Sequence, residues 1–327
     1  MFISFCTRHI RVFLAMLCIG YMPTIHAGTP LTNEPIQPIP LTVDVDSAKA
    51  TLGRELFFDT ALSADGDISC ASCHNLKEGG ADTGKRYSIG HNGSEGGINS
   101  PTVYNSSLLF RQFWDGRAET LEDQADQPVT NPVEMAARWP DVLARLYENP
   151  SYPNKFQQIY SDGITRENVK NAIAEFERTL LATNSPFDQY LRGNENALTA
   201  KEKKGYELFK NYGCHSCHQG VNVGGNMFQV FGAINNYFEE RGNITKADLG
   251  RFNVTGDSAD KFVFKVPSLR MAKYTAPYFH DGTQKTLLDA VNAMFRYQLG
   301  REAPDSDKEA IIAFIESLAG EHLEMKK

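Results

Sequence analysis

The chain has 327 residues, of which 41% are hydrophobic and 22% charged, and its formal net charge is −7. This length supplies enough apolar side chains for two domains of ordinary size. The acidic balance argues against a nucleic-acid partner and favours a partner that is positively charged around its contact surface.

Residues 1–27 have the pattern of a secretory signal peptide. Arg8 and Arg11 precede an apolar run from Val12 to Met22, and Ile25-His26-Ala27 is suitable as a cleavage site. The apolar run is short for a membrane span, although a signal anchor that stays in the membrane is the alternative. Cleavage would remove two of the six cysteines and both arginines, and so change the charge from −7 to −9. The pattern predicts export to the periplasm, without a membrane span in the mature protein.

Four prolines in residues 28–45 predict an extended N-terminal arm. Beyond it, two Cys-x-x-Cys-His motifs occur, Cys70-Ala71-Ser72-Cys73-His74 and Cys214-His215-Ser216-Cys217-His218. Cysteines at this spacing can form thioether bonds with the two vinyl groups of one haem, and the adjacent histidine can bind its iron. The two motifs therefore predict two covalently bound haem c groups, with His74 and His218 as proximal ligands.

An internal repeat surrounds these motifs. Pro101 precedes Asp115, and Pro267 precedes Asp281, by 14 residues in each case. The repeat predicts two tandem cytochrome c-type haem domains, in residues 46–196 and 197–327, with a mostly α fold and long loops.

Helix signals place some of the motifs. Thr199-x-x-Glu202 is a capping box that opens a helix before the second haem motif. A second capping box, Ser306-x-x-Glu309, predicts a last helix that Gly320 ends and that packs back on the first domain.

The two haem sites differ in the sixth ligand that the sequence offers. Met294 follows Asp281 by 13 residues and can close the second haem, whereas the same offset from Asp115 is Pro128, which cannot bind iron. Met227, Met271 and Tyr297 remain alternatives to Met294. For the first haem, the remaining candidate is His91, in a loop with four glycines between Ile89 and Gly97.

Many short stretches match one family. They are the two haem motifs, residues 88–91, 99–105, 113–119, 132–135, 265–270, 275–282 and 298–300. On these stretches the chain resembles the bacterial dihaem cytochrome c peroxidases over nearly its whole mature length. The resemblance implies reduction of hydrogen peroxide to water with electrons from a small periplasmic carrier, either a c-type cytochrome or a blue copper protein. It also implies a homodimer.

The resemblance assigns roles to the two domains. Residues 46–196 would form the peroxidatic, low-potential haem domain, with His91 as a removable distal ligand. Residues 197–327 would form the high-potential domain, in which the haem bound by His218 and Met294 receives electrons.

Further site residues follow from the resemblance and from chemistry. Cleavage of the O–O bond needs a group that moves a proton between the two oxygens, and Glu134 with Gln124 as its partner suits this role. Trp114 is implied to carry electrons between the haems, and His280 to form hydrogen bonds near that region. A Ca²⁺ is implied between the domains, bound by Asn99 and the carbonyl oxygens of Thr275 and Pro277.

Three other functions compete with peroxide reduction. A dihaem electron-transfer cytochrome would need two permanently six-coordinate haems. A related branch oxidises protein tryptophans and has Tyr in place of the axial Met, which Met294 argues against. Oxidation of a small organic molecule is the third alternative, and no sequence pattern tests it.

Overall fold

The computed structural model describes Met1 and residues 30–326, so the predicted signal peptide lies outside the described residues. The fold is mostly helical, as the sequence predicts, with a single small antiparallel sheet in the described part of the chain. The helices are α1 (Ser47–Phe57), α2 (Cys70–Cys73), α3 (Leu121–Thr130), α4 (Trp139–Glu148), α5 (Tyr152–Ile159), α6 (Arg166–Thr179), α7 (Pro186–Leu191), α8 (Ala200–Asn211), α9 (Tyr237–Arg241), α10 (Phe252–Thr255), α11 (Leu287–Ala293) and α12 (Asp305–Ser317). The strands are β1 (Phe228–Val230) and β2 (Val263–Lys265), with Gln229 opposite Phe264.

Two closely packed helix pairs form the framework. Helix α1 packs on α6, and α8 packs on α12. At each crossing a glycine faces a backbone carbonyl: a Cβ on Gly53 would lie 1.7 Å from the oxygen of Ala172, and one on Gly205 would lie 1.9 Å from that of Ala310. The backbones can approach this closely only because both glycines lack a side chain. Each pair lies in a hydrophobic core of its own.

The capping box at Thr199 is confirmed, since its side chain accepts from the backbone N–H of Glu202 and α8 begins at Ala200. The prediction of a capping box at Ser306 is wrong. Helix α12 begins at Asp305, behind Pro304, so Ser306 lies within its first turn. Pro304 has the fixed φ that suits the residue before a helix, and it places the start earlier.

Helix α12 packs on α8 and also contacts α7, and the C-terminal tail beyond it reaches the first helix pair. Helix α12 ends at Ser317, and a Cβ on Gly320 would lie 2.2 Å from the carbonyl oxygen of Ala182. The chain then passes along Thr183, which exchanges two backbone hydrogen bonds with Glu321. Beyond it, Glu324 forms an ion pair with Arg54 of α1.

The N-terminal arm is extended and crosses the second part of the molecule. Ile36 and Ile39 are fully buried there, and the backbone N–H of Leu31 donates to Leu191 at 2.9 Å. Arg270 donates to the carbonyl of Gln37 while it forms an ion pair with Asp188 in which both side chains are fully buried. None of the helices in the described residues is long and apolar enough to cross a membrane.

We expect Gly53→Ala to destabilise the protein by about 1–3 kcal/mol or more, because the new methyl group would overlap the carbonyl of Ala172. Denaturant unfolding measures the difference. Thr51→Ala, on the exposed face of the same helix, is the matched control and should leave the free energy of unfolding nearly unchanged. Equal stability of Gly53→Ala and the wild type would show that the helices can separate at no cost.

Candidate active site in two Cys-His cavities

The first cavity is lined by Cys70, Cys73 and His74 and has a volume of about 680 Å³. The two cysteines begin and end the single-turn helix α2, which places both thiols on one side. Burial raises the pKa of Cys70 to about 12 and lowers that of His74, so the imidazole is neutral, the form that binds metals. Its Nδ1 lies 3.3 Å from the carbonyl oxygen of Gly80, which leaves Nε2 for an iron ligand bond.

The second cavity is lined by Cys214, Cys217 and His218 and has a volume of about 280 Å³. Its histidine has the same surroundings as that of the first: Nδ1 lies 3.3 Å from the carbonyl oxygen of Val223, and burial lowers the pKa of His218 to about 4. All four motif cysteines are free of disulfide bonds. Paired free thiols beside an oriented neutral imidazole fit the attachment of one haem in each cavity.

Met294 lies at the edge of the second cavity, where α11 changes into the π-helical turn Met294–Gln298. The alternatives to it do not line this cavity. Met271 is fully buried in the core around α1 and α6, and the hydroxyl of Tyr297 donates to Glu240. Pro128, at the corresponding offset, lines the first cavity. Among the candidates that the sequence offers, Met294 is therefore placed best for the second haem.

Glu134 and Gln124 both line the first cavity. The Glu134 carboxylate accepts a 2.7 Å hydrogen bond from the Asn131 side chain. Burial raises the pKa of Glu134, and this effect exceeds the opposing effects of Asn131 and Arg117. Glu134 can therefore hold and release a proton beside whatever binds in the cavity.

His91 does not line the first cavity in this structure. Its Nδ1 lies 3.2 Å from Oδ2 of Asp65, and its Nε2 lies 2.9 Å from the Asn92 amide. The glycine-rich loop is folded against the Glu134 segment: the His91 N–H donates to the Glu134 carbonyl at 2.7 Å, and a Cβ on Gly90 would lie 2.2 Å from the Val133 oxygen. Four glycines give this loop little intrinsic order, but these contacts hold it in one conformation, in which His91 does not line the cavity.

Trp114 lines both cavities and connects them through Asn99. Its indole N–H donates to the Asn99 carbonyl at 2.9 Å, and the Asn99 N–H donates to the His280 carbonyl at 2.8 Å. The rings of Trp114 and His280 are 6.3 Å apart, edge to face. His280 is 2% exposed and lines only the second cavity.

No sequence pattern predicts the partner of His280. Its Nε2 lies 2.8 Å from Asp248, whose carboxylate also accepts from Arg241 at 2.6 and 2.9 Å. Burial opposes ionisation of Asp248, but hydrogen bonds from His280, Arg241 and Thr245 outweigh it and hold the pKa of Asp248 well below its ordinary value. Asp248, His280 and Asp281 offer ligand atoms within 4.8 Å of one another, but Arg241 bonds to both carboxylates, so a guanidinium is the cation here.

The residues predicted for Ca²⁺ lie near this connection. The Asn99 side-chain amide donates to the carbonyls of Lys85 and Arg86. Thr275 and Pro277 line the second cavity, as does Asn99, and their carbonyl oxygens accept no backbone hydrogen bond in the described part of the chain.

Fold and site together define a helical protein built around two cavities, each with a Cys-x-x-Cys-His motif in its wall. Residues 47–196 match the family described as di-haem cytochrome c peroxidase. The chain is 44% identical to cytochrome c551 peroxidase of Nitrosomonas europaea over 98% of its length and 94% of that protein. It is 50% identical to cytochrome c peroxidase Ccp of Escherichia coli over 88% of its length, and it spans 62% of that relative.

A solved structure of a MauG-like protein associated with microbial copper homeostasis has a TM-score of 0.76 and 27% identity, and the match covers 89% of this chain and 95% of that one. The chain belongs to the di-haem cytochrome c peroxidase family. Membership in a di-haem family implies two haem groups.

We expect Asp248→Asn to lower the free energy of unfolding by about 3 kcal/mol, because it leaves the buried side of Arg241 with one carboxylate fewer. The wild-type contribution of Asp248 should be full at neutral pH and decline as the pH falls below about 4, since its folded pKa is depressed. Asp305→Asn, with a side chain that is 91% exposed, is the control for loss of one charge. Denaturant unfolding at pH 7 that does not separate the two variants would contradict the assignment.

Proposed function

We propose that this protein reduces hydrogen peroxide to water in the periplasm, with electrons from a small c-type cytochrome or a blue copper protein. The observation that carries the proposal is the difference between the cavities. The first has Glu134 and Gln124 beside a position occupied by Pro128, whereas the second has Met294 at the corresponding place. A site that binds peroxide must be open, and a site that only transfers electrons is closed by a sixth ligand.

We propose that the chain consists of two tandem haem domains, 46–196 and 197–327, that arose as a repeat. In each, a glycine of the first helix contacts a carbonyl of a later helix, as Gly53 does with Ala172 and Gly205 with Ala310. The four motif cysteines would hold two haem c groups by thioether bonds, and His74 and His218 would bind their irons. When bound, the haems supply the redox chemistry: peroxide takes two electrons and two protons and yields two waters.

In this proposal Glu134 moves protons in the first cavity. Its carboxylate takes a proton from one peroxide oxygen and returns it to the other, which leaves as water. Burial raises the pKa of Glu134 and so brings it closer to the working pH, which makes both steps accessible. Gln124 lines the same cavity and orients the peroxide by hydrogen bonding.

The polar connection between the cavities suits electron transfer. Trp114 borders both cavities, and the buried pair of His280 and Asp248 keeps its neighbourhood rigid. A Ca²⁺ bound by Asn99, Thr275 and Pro277 would fix the same region. His91 would bind the first haem in the resting protein, and the position beside Asp65 would be its released position. A homodimer completes the proposal.

We expect Glu134→Gln to lower kcat for peroxide reduction by about 10²–10⁴-fold, because the amide cannot carry the proton. The assay is peroxide-dependent oxidation of a reduced small cytochrome c by the holoenzyme. Glu119→Gln is the matched control, since Glu119 is 68% exposed and pairs with Arg111. If both variants keep wild-type kcat, Glu134 does not move the proton; if the wild type itself consumes no peroxide, the chain is an electron-transfer cytochrome.

We expect His91→Ala to convert the first haem of the oxidised holoenzyme from low spin to high spin, because the proposed distal ligand is gone. The same variant should consume peroxide without prior reduction. EPR spectra of the oxidised wild type and variant check the first expectation, and a peroxide assay of the oxidised protein checks the second. An unchanged low-spin signal in His91→Ala would show that another residue closes the first haem.

A further inference from the structure

A buried carboxyl group that the proposed mechanism does not use faces the first cavity. Helix α6 directs Ile173 and Glu177, one helical turn apart, toward it. Glu177 is 4% exposed, and its Oε2 accepts no hydrogen bond from any described residue. Ser106, in the turn that packs against α6, lines the same cavity, and its Oγ likewise has no partner among the described residues.

The second cavity has apolar residues at the corresponding positions. Glu177 follows Ala172, the residue that Gly53 contacts, by five residues, and Ile315 follows Ala310, the residue that Gly205 contacts, by five. Ile315 is buried and lines the second cavity.

The same holds for the serine. Ser106 follows Pro101 by five residues, and Ala272 follows Pro267 by five; Ala272 also lines the second cavity. The helix pair around the second cavity packs with isoleucine and alanine at these positions, so packing alone does not require polar residues there. Of the two cavities, only the first has the polar residues Glu177 and Ser106.

The charges around Glu177 determine its protonation. Burial, with a smaller contribution from Glu122 on α3, raises the pKa of Glu177 to about 8, and Arg178 on its own helix opposes this shift. Helix α1 packs on α6 with apolar side chains and Gly53, so it brings no charge near Glu177. Cys70, from α2, carries no charge once it is a thioether. Elsewhere the cavity wall contains Asp115, Arg117, Glu134 and Lys246, together with the neutral His74. Glu177 thus carries a proton at neutral pH and loses it in mildly alkaline solution.

We infer that Glu177, with the Ser106 hydroxyl on the same cavity wall, is the proton-binding site coupled to the electron of the first haem. The inference rests on the proposed binding of a haem in the first cavity, and not on peroxide as the substrate. An electron added there increases the negative charge beside Glu177 in a medium of low dielectric constant and strengthens proton binding. Starting from the ionised carboxylate, one electron arrives from the donor and one proton from solvent, and oxidation of the haem releases both.

The coupling has a defined sign. An ionised Glu177 disfavours the added electron, so it lowers the reduction potential of the first haem. Below the pKa of Glu177 in the oxidised protein, the carboxyl is already neutral and the potential is independent of this group. Above that pKa, reduction takes up one proton, and the potential falls with pH until the carboxylate stays ionised in both redox states.

The test is a spectroelectrochemical titration of the holoenzyme between pH 6 and pH 10, a range chosen around the pKa of about 8. In the wild type we expect the potential of the first haem to fall above about pH 8. The slope should approach about 59 mV per pH unit, the value for a tenfold change in a one-electron equilibrium. In Glu177→Gln that slope should disappear, and at alkaline pH the potential should lie above that of the wild type. The second haem should be unaffected in both proteins.

Two further variants make the test specific. Glu167→Gln, on the same helix with a side chain that is 73% exposed, removes one charge at the surface and should keep the wild-type slope. Glu177→Ile introduces the residue that the second cavity has at the corresponding position, and its potential should also lose the slope. A result that both variants share cannot be caused by misfolding of one of them.

Redox-difference infrared spectra give a second readout. The C=O stretch of a protonated carboxylic acid should appear on reduction at alkaline pH in the wild type and be missing in Glu177→Gln. A wild-type slope that persists in Glu177→Gln, or a wild-type potential that is independent of pH, would overturn the inference. Peroxide assays of the same samples separate the two questions, because a protein that shows the slope and consumes no peroxide contradicts only the proposed function.

Discussion

The structure depends on the close approach of two helix backbones, which occurs twice. In each pair a glycine of one helix faces a backbone carbonyl of the other, Gly53 that of Ala172 and Gly205 that of Ala310. The two helices therefore meet without a side chain between them. This contact fixes the direction in which the later helix presents its next turn, and that turn forms one wall of a cavity. Each Cys-x-x-Cys-His motif forms another wall, so the distance between the helices decides whether a flat cofactor fits.

We propose that the two helix pairs support different chemistry because few of the positions in the cavity walls are needed for packing. Met294 and Pro128 stand at corresponding offsets, as do Ile315 and Glu177 and also Ala272 and Ser106. At two of these positions the first cavity has a polar residue, Glu177 or Ser106, where the second cavity has an apolar one. The first cavity has polar groups that can hold protons, which is what reduction of peroxide demands. Function thus differs through single side chains on a shared scaffold.

Between the cavities the structure is rigid and polar. Trp114, Asn99 and His280 are joined by backbone-directed hydrogen bonds, and Asp248 and Arg241 hold His280 from the other side. Each buried polar side chain of this hydrogen-bonded network has a partner, so the network cannot be rearranged without leaving a charge or a donor unsatisfied. This makes it a suitable bridge for electrons and a poor place for a hinge. The His91 loop lies outside this network and contacts Glu134 through backbone atoms.

The sequence by itself determined what depends on residues close together in the chain. The Cys-x-x-Cys-His motifs act within one helical turn, the capping box at Thr199 acts over three residues, and the extended, proline-rich arm follows from restricted φ angles. The motif set also determined the family. The prediction of a capping box at Ser306 was wrong because the helix begins directly after Pro304. The proline and the capping box are both local signals, and here they competed for the start of one helix.

Only the tertiary structure decided what depends on contacts across long stretches of chain. Asp248 meets His280 across 32 residues, and nothing near either residue predicts the pairing. The orientation of His91 toward Asp65 depends on how its loop packs on Glu134. Glu177 reads in the sequence as one more charge on an amphipathic helix, although the repeat spacing would have placed it opposite Ile315. Its burial, its missing partner and its raised pKa arise only when α6 packs on α1, because burial of a carboxyl group is a property of the assembled core and not of its sequence neighbours.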